Sequence, residues 1–109
     1  MSIIRVEDIK SRELIPGTKS RFIHTGHMTI GYWEFEPGIT LPEHSHPHEQ
    51  VSNIIDGIFE FTIDGKVERL EGGSAAVIPP DAVHSGKSIT KCMIIDVFYP
   101  VREDYKMVT

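Results

Sequence analysis

Three of the six histidines fall within five residues, in the run His44-Ser45-His46-Pro47-His48-Glu49-Gln50. Neutral imidazole is the commonest protein ligand for metals. A His-x-His pair on a strand places both rings on one face, about 6–7 Å apart at the backbone for a rise of ~3.3 Å per residue. From there both nitrogens can converge on one ion at about 2.1 Å. Gln50 shares their parity and adds an oxygen if the strand stays regular. His84, far along the chain after Pro79-Pro80-Asp81, can close the set from a neighbouring strand. His48 has the right parity too, but Pro47 cannot donate to a ladder and interrupts the strand, so His48 is the weaker candidate. Taken alone, such a run also fits a His-rich surface loop. His24 and His27 each stand alone and read as strand-end or surface residues.

Ligands so placed need extended backbone to hold them. Apolar side chains recur at every second position, as in Met28, Ile30 and Tyr32, or Phe59, Phe61 and Ile63. That period marks strands rather than helices. Asp56-Gly57 and Asp64-Gly65 are hairpin signals, since both central residues of a type I′ turn need positive φ. Gly72-Gly73, Pro37-Gly38, Pro16-Gly17 and Pro79-Pro80-Asp81 mark further turns. The pattern predicts strands over 21–24, 28–36, 50–56, 58–63, 66–71, 74–78, 83–85 and 89–99. It predicts no long amphipathic helix and one short helical turn after Pro100. Many short strands at near-regular spacing imply an all-β sandwich or barrel.

With 109 residues there is room for one domain and one core. No apolar run approaches the ~20 residues of a membrane helix. Met1 to Lys10 alternates apolar and charged residues and lacks a signal-peptide core. Cys92 is the lone cysteine, which fits a reducing cytoplasm. A net charge of −5 without a basic run argues against nucleic acid as a partner. It also means that an anionic substrate has to meet a local Arg or Lys.

The spacing resembles that of the cupin superfamily. The first cupin motif runs Gly, five residues, His-x-His, three or four residues, Glu, six residues, Gly. Here it reads Gly38, His44, His46, Gln50 and Gly57, with Gln in place of Glu. The second runs Gly, five residues, Pro-x-Gly, two residues, His, three residues, Asn. Here it reads Gly73, Pro79, Asp81 in place of Gly, His84, and Ser88 in place of Asn. The resemblance implies a double-stranded, jelly-roll-like β-barrel over residues 20–100, preceded by an N-terminal strand or arm, 1–19, in a single domain 1–109. It also implies a homodimer, across which an apolar N-terminal strand such as Ile3–Val6 can pair.

The run from His44 to Gln50, and Asp96-Val97-Phe98-Tyr99-Pro100-Val101-Arg102-Glu103-Asp104-Tyr105, resemble more closely the KdgF proteins. These are small cupins of pectin and alginate breakdown that open the ring of 4,5-unsaturated uronates to linear 4-deoxy-5-keto uronates. The resemblance implies His44, His46, Gln50 and His84 as ligands of one divalent transition metal (Zn, Ni, Mn, Co or Fe). It implies Asp96 and Arg102 as catalytic residues, Phe98 and Arg102 as substrate contacts, and a small sugar acid as the partner.

The residue types suit those roles. Alternation puts Asp96 and Phe98 on one strand face with Cys92 and Ile94, both faces being largely apolar. A carboxylate there has to be paired, near a metal or protonated, which makes it an acid–base candidate or a structural partner of an Arg. Arg102 offers a planar fork to a substrate carboxylate, or pairs on the surface with Glu103 or Asp104. Phe98 packs on a sugar ring or is simply core. Gln50 brings no charge, so three His and one amide leave a divalent ion strongly Lewis acidic with a poorly stabilised ferric state. That weighs against a dioxygenase. Another sugar isomerase, or a non-catalytic cupin that binds a metal or sugar acid, are the rival readings. Cys92 sits mid-strand among apolar residues and reads as inert.

Overall fold

Turn chemistry sets many of the strand boundaries. Asp64 and Gly65 have φ of 48° and 80°, the double positive φ expected of the hairpin joining β5 (Ile58–Ile63) to β6 (Lys66–Glu71). Asp56-Gly57 differs: only Gly57 is left-handed, at φ 93°, and the preceding strand β4 (Glu49–Asp56) shifts register between Ile54 and Asp56. A Cβ on Gly57 would come within 2.2 Å of the Lys91 carbonyl oxygen, so this corner admits only glycine. The computed structural model describes residues 1–106; residues 107–109 of the expected single domain lie outside them.

The remaining strands are β1 (Thr18–His24), β2 (Thr29–Phe35), β3 (Thr40–His44), β7 (Ser74–Ile78), β8 (His84–Ser88) and β9 (Cys92–Tyr99). Antiparallel pairing gives a five-stranded sheet, β1-β2-β9-β4-β7, and a four-stranded sheet, β3-β8-β5-β6. The two make the jelly-roll β-barrel that the motifs imply. Helix among the described residues is confined to a 3-10 turn at Val6–Asp8 and to α1 (Glu103–Lys106), the short turn expected after Pro100. No helix among them is long and apolar enough to cross a membrane.

β1 starts at Thr18 rather than Arg21 and β8 runs to Ser88 rather than Ser85; three further differences have a local reason. β3 is absent from that pattern because Pro42 lies inside it; as an edge strand it pairs only with β8, and an edge tolerates a missing N–H. β9 starts at Cys92 rather than Ile89, because Ile89 to Lys91 turn a corner held by Ile89 N–H to the Ile58 carbonyl and by Ile58 N–H to Thr90 Oγ1. Ile3–Val6 forms no strand within the chain: Ile3 and Ile4 are exposed, and the arm is fastened only further on, by a bridge between Arg12 and Ser20.

The inner face of the large sheet changes character along its strands. One row across β2, β9 and β4 is Trp33, Ile94 and Ile54, packed with Phe35, Phe59, Phe61 and Ile78 into the core. The next row is Gly31, Asp96 and Ser52, and the next Thr29, Phe98 and Gln50. The barrel is therefore apolar at one end and polar at the other, and the polar end faces the histidines.

Candidate metal centre

His44 ends β3 directly opposite His84, the first residue of β8. That register brings their ring centroids to 4.2 Å. His46 arrives differently. It is not on the strand of His44, as the parity argument supposed, but in the connection that crosses from β3 to β4. Its carbonyl accepts the Asp81 N–H at 2.8 Å. Asp81 stands where the second motif expects glycine and adopts the glycine-like φ of 65°, which Asp tolerates better than most residues. The turn survives the substitution, and it holds His46 4.9 Å from His84, centroid to centroid.

Ligand nitrogens of His44, His46 and His84 lie within 4.8 Å of one another. All three rings are oriented alike. Nδ1 of His44 bonds the Pro42 carbonyl at 2.8 Å, that of His46 the His48 carbonyl at 3.0 Å, and that of His84 the Ala82 carbonyl at 2.8 Å. A carbonyl can only accept, so each Nδ1 carries the proton and each Nε2 presents a lone pair. Burial holds His84 below the ordinary imidazole range, and burial with the Arg102 charge holds His46 down at about 4. Both are neutral near pH 7, as metal ligands must be.

Two details fit a cation here. Nε2 of His84 is buried without a hydrogen-bond partner. Nε2 of His46 faces Gln50 Oε1 at 3.0 Å, lone pair against carbonyl oxygen. Two acceptors that close are reconciled by a shared cation, or by turning the amide to offer its NH2. Gln50 lies on β4, in the opposite sheet from His44, so it reaches the cluster across the barrel rather than along one strand. The three histidines are positioned to bind a metal, and the donor set fits a divalent ion of the first transition row. His48 lies outside the cluster, its ring 5.5 Å from that of His46.

Asp96 sits one row deeper, 9% exposed, and accepts Ser52 Oγ at 2.6 Å. Burial drives its carboxyl up to about 6, against the pull of hydrogen bonds from Ser52 and the Gln50 amide and of the Arg102 charge. Gly31 is its β2 neighbour, and the room a Cβ would take there is closed by Trp33 Nε1 at 2.9 Å and the Phe22 ring at 3.1 Å. Ser52 was not singled out from the sequence, although it shares the inward parity of Gln50 two residues before it.

Arg102 makes the expected pair with Asp104, but not on the surface. Its Nε and Nη2 bond the Asp104 carboxylate at 2.9 and 2.7 Å, yet it is buried at 7% exposure. Its guanidinium lies 4.8 Å from the Phe98 ring centroid and 3.9 Å from that of Tyr105. Burial alone would lower Arg102, but Asp104 and Tyr105 outweigh it and the charge is secure. The Nε edge is taken by Asp104, which leaves Nη hydrogens outside that pair. Phe98 packs edge-on to His46 and Tyr105. His44, His84, Gln50, Asp96, Phe98 and Arg102 all line one cavity of about 220 Å³, closed at its apolar end by Trp33, Phe35 and Phe59. Cys92 lies outside it, buried and bonded to the Ile58 and Thr90 carbonyls, and burial raises its thiol. Neither His24, bonded to Thr29 Oγ1, nor His27 in the β1–β2 turn joins the cluster.

A family model described as the cupin domain matches residues 31–98. Among solved structures, the chain is similar to KdgF from Halomonas sp., at 26% identity and a TM-score of 0.90, over 96% of this chain and 98% of that one. It is similar to the same degree, 26% identity and a TM-score of 0.90, to an RmlC-like cupin from Shewanella frigidimarina NCIMB 400, over 96% of each chain. An S161A mutant of the Bacillus subtilis oxalate decarboxylase OxdC shares the fold at 18% identity and a TM-score of 0.80, over 89% of this chain and 29% of that one.

Proposed function

The chain belongs to the cupin domain family, and from that premise we propose that it is a metal-dependent enzyme opening the ring of 4,5-unsaturated uronates. The observation that carries the reading is Asp96: a buried carboxylate held by Ser52, in one cavity with a buried arginine and with His44 and His84 of the three-histidine cluster. A module that only binds has no need of a titratable group at that depth. The overall likeness to KdgF from Halomonas sp. supports the same choice.

A divalent ion held by His44, His46, His84 and Gln50 supplies Lewis acidity toward a substrate oxygen when bound. Asp96 takes the proton of the anomeric hydroxyl. The O–H electrons become the carbonyl of the new aldehyde as the bond from carbon 1 to the ring oxygen breaks. The ring oxygen keeps the bonding pair and becomes the ketone at carbon 5 once carbon 4 takes a proton, which Asp96 returns. Substrate and product are isomers, so neither water nor an oxidant is consumed. A carboxyl poised at about 6 is suited to accept and deliver that proton near neutral pH. Arg102 anchors the substrate carboxylate, which is conjugated to the reacting alkene, and so stabilises charge that grows as the ring opens. This is the local cation that a chain of net charge −5 needs for an anionic substrate. Phe98 offers the sugar an apolar face beside it. The neutral Gln50 weighs against the dioxygenase alternative, as its amide adds no charge to stabilise a ferric ion.

The test is to incubate metal-loaded protein with unsaturated galacturonate and follow loss of the alkene absorbance. Acceleration over the spontaneous reaction, with the linear 5-keto product seen by NMR, is the expected result. No acceleration would leave the non-catalytic and other-isomerase readings ahead.

We further propose that a single domain, 1–109, works as a cytoplasmic homodimer. Support comes from the outward face of the large sheet, where Val77, Val51, Val97, Ile30 and Ile23 form one aliphatic row across all five strands. Met93 and Tyr99 stand exposed beside it. Such a face on a second copy makes a self-complementary, two-fold contact.

A further inference from the structure

A second cavity, of about 260 Å³, lies on the other side of Tyr105, whose ring lines both. It is bounded by Lys10 and Arg12 from the N-terminal arm, Phe22 and His24 from β1, and Tyr105 and Lys106 from α1. No Asp or Glu lines it among the described residues. In a chain with 11 basic and 16 acidic residues, three Lys and Arg plus a histidine around one acid-free cavity is a concentration of like charge that repels itself.

The cavity is built rather than incidental. Arg12 and Ser20 exchange backbone hydrogen bonds at 2.9 Å each, and Arg21 Nε bonds the Ile9 carbonyl at 3.0 Å. These fasten the arm on both sides of Lys10, so that Lys10 and Arg12 face β1. Neither residue makes an ion pair with a described residue, whereas Lys106 reaches Glu103 at 3.5 Å. Phe22 packs against Tyr105 at 4.7 Å, which makes the back wall aromatic. Burial, and then the Lys106 charge against that of Glu103, lower His24, so it stands neutral beside the cations.

We propose that this pocket is an anion site for a phosphate-type dianion, distinct from the metal cavity. Lys10 and Arg12, with Lys106 shared with Glu103, match two negative charges, and Lys and Arg are the usual donors to phosphate oxygens. The aromatic wall suits the carbon skeleton of a phosphate ester. The inference does not depend on the ring-opening reaction.

Calorimetric titration of the full-length, metal-loaded protein with inorganic phosphate, and separately with glucose 6-phosphate, tests it. Saturable binding of one equivalent is expected, weakened at least tenfold in the Lys10→Ala, Arg12→Ala double variant and unchanged in His44→Ala, which alters the metal cavity away from Tyr105. Lys106→Ala, on an exposed terminal turn that cannot compromise the barrel, is expected to weaken binding in the same direction. The tighter of the two ligands identifies the source, free ion or ester. Loss of binding in His44→Ala with retention in the double variant would place the anion in the metal cavity and overturn the proposal. So would no binding of either ligand.

Discussion

Asp96 shows how far one residue's role follows from its surroundings. Its inward face is legible from alternation, since Cys92, Ile94 and Phe98 share its parity. Its partner is not, because Ser52 meets it only through the β4–β9 register, and cross-strand register is not written in either strand alone. The residue departures from the cupin motifs divide in the same way. Asp81 keeps the turn by adopting a positive φ, a substitution a sequence can anticipate. Ser88 turns from a motif position into a structural clamp, its hydroxyl donating to the Glu36 carbonyl at 2.6 Å and accepting the Ile39 N–H at 2.9 Å. On the proposed reaction Asp96→Asn is expected to lower kcat by about 10²–10³ with metal content unchanged, measured by steady-state kinetics beside elemental analysis. The same change has an opposite effect on stability. In the metal-free fold the carboxyl keeps its proton up to about pH 6, whereas the unfolded chain releases it near 3.8. Folding therefore takes up a proton between those values. The contribution is fully present below pH 3.8 and is lost as pH rises through 6, a change of about 3 kcal/mol. Metal-free Asp96→Asn should thus unfold at higher denaturant than wild type at pH 8, and the gap should close by pH 4. Arg102→Ala should raise KM and lower kcat together if, as proposed, it holds the substrate carboxylate, which gains electron density as the ring opens.

At the scale of elements, the boundaries of β5, β6 and β7 follow from turn residues alone, since Asp64-Gly65 and Gly72-Gly73 leave few alternatives. β3 does not, because a proline inside a strand is readable only when the strand is known to be an edge. That strand carries His44, so the metal site was legible as residues before it was legible as geometry. Its geometry depends on the β3–β8 pairing that sets His44 against His84. The Ser88 clamp ties the Pro37-Gly38 turn to β8 away from the histidines, with Gly38 N–H also donating to the Ser88 carbonyl at 2.7 Å. Ser88→Ala leaves the Ile39 N–H without its hydroxyl and is expected to cost about 1–3 kcal/mol, read as a lower denaturant midpoint at constant m-value. Metal affinity should stay within a factor of a few. A large loss of metal with no loss of stability would show that the clamp has been assigned to the wrong job.

The whole molecule joins an apolar barrel end that holds the core to a polar end that holds the histidine cluster, and both share the same strands. Period two and the two spaced motifs made that architecture legible, whereas the outward aliphatic row emerges only once five strands are set in register. Val97→Glu at the centre of the row is expected to convert a dimer into monomers, seen as a halved mass by light scattering. A cluster that converges in the folded chain alone couples metal binding to folding. An ion at a hundred times its Kd adds about 2.7 kcal/mol, which raises the Tm of a domain of this size by about 10–20 °C. His84→Ala should abolish that rise. The central claim, that a three-histidine cluster and Asp96 together open an unsaturated uronate ring, is tested most directly by one comparison. Wild type and Asp96→Asn, brought to equal metal content, are each given unsaturated galacturonate, and appearance of the linear 5-keto product is timed by NMR. The account predicts that wild type outpaces the spontaneous reaction and that Asp96→Asn retains about 1% of its rate or less. Equal rates for the two proteins, or a wild type no faster than the uncatalysed reaction, would contradict it.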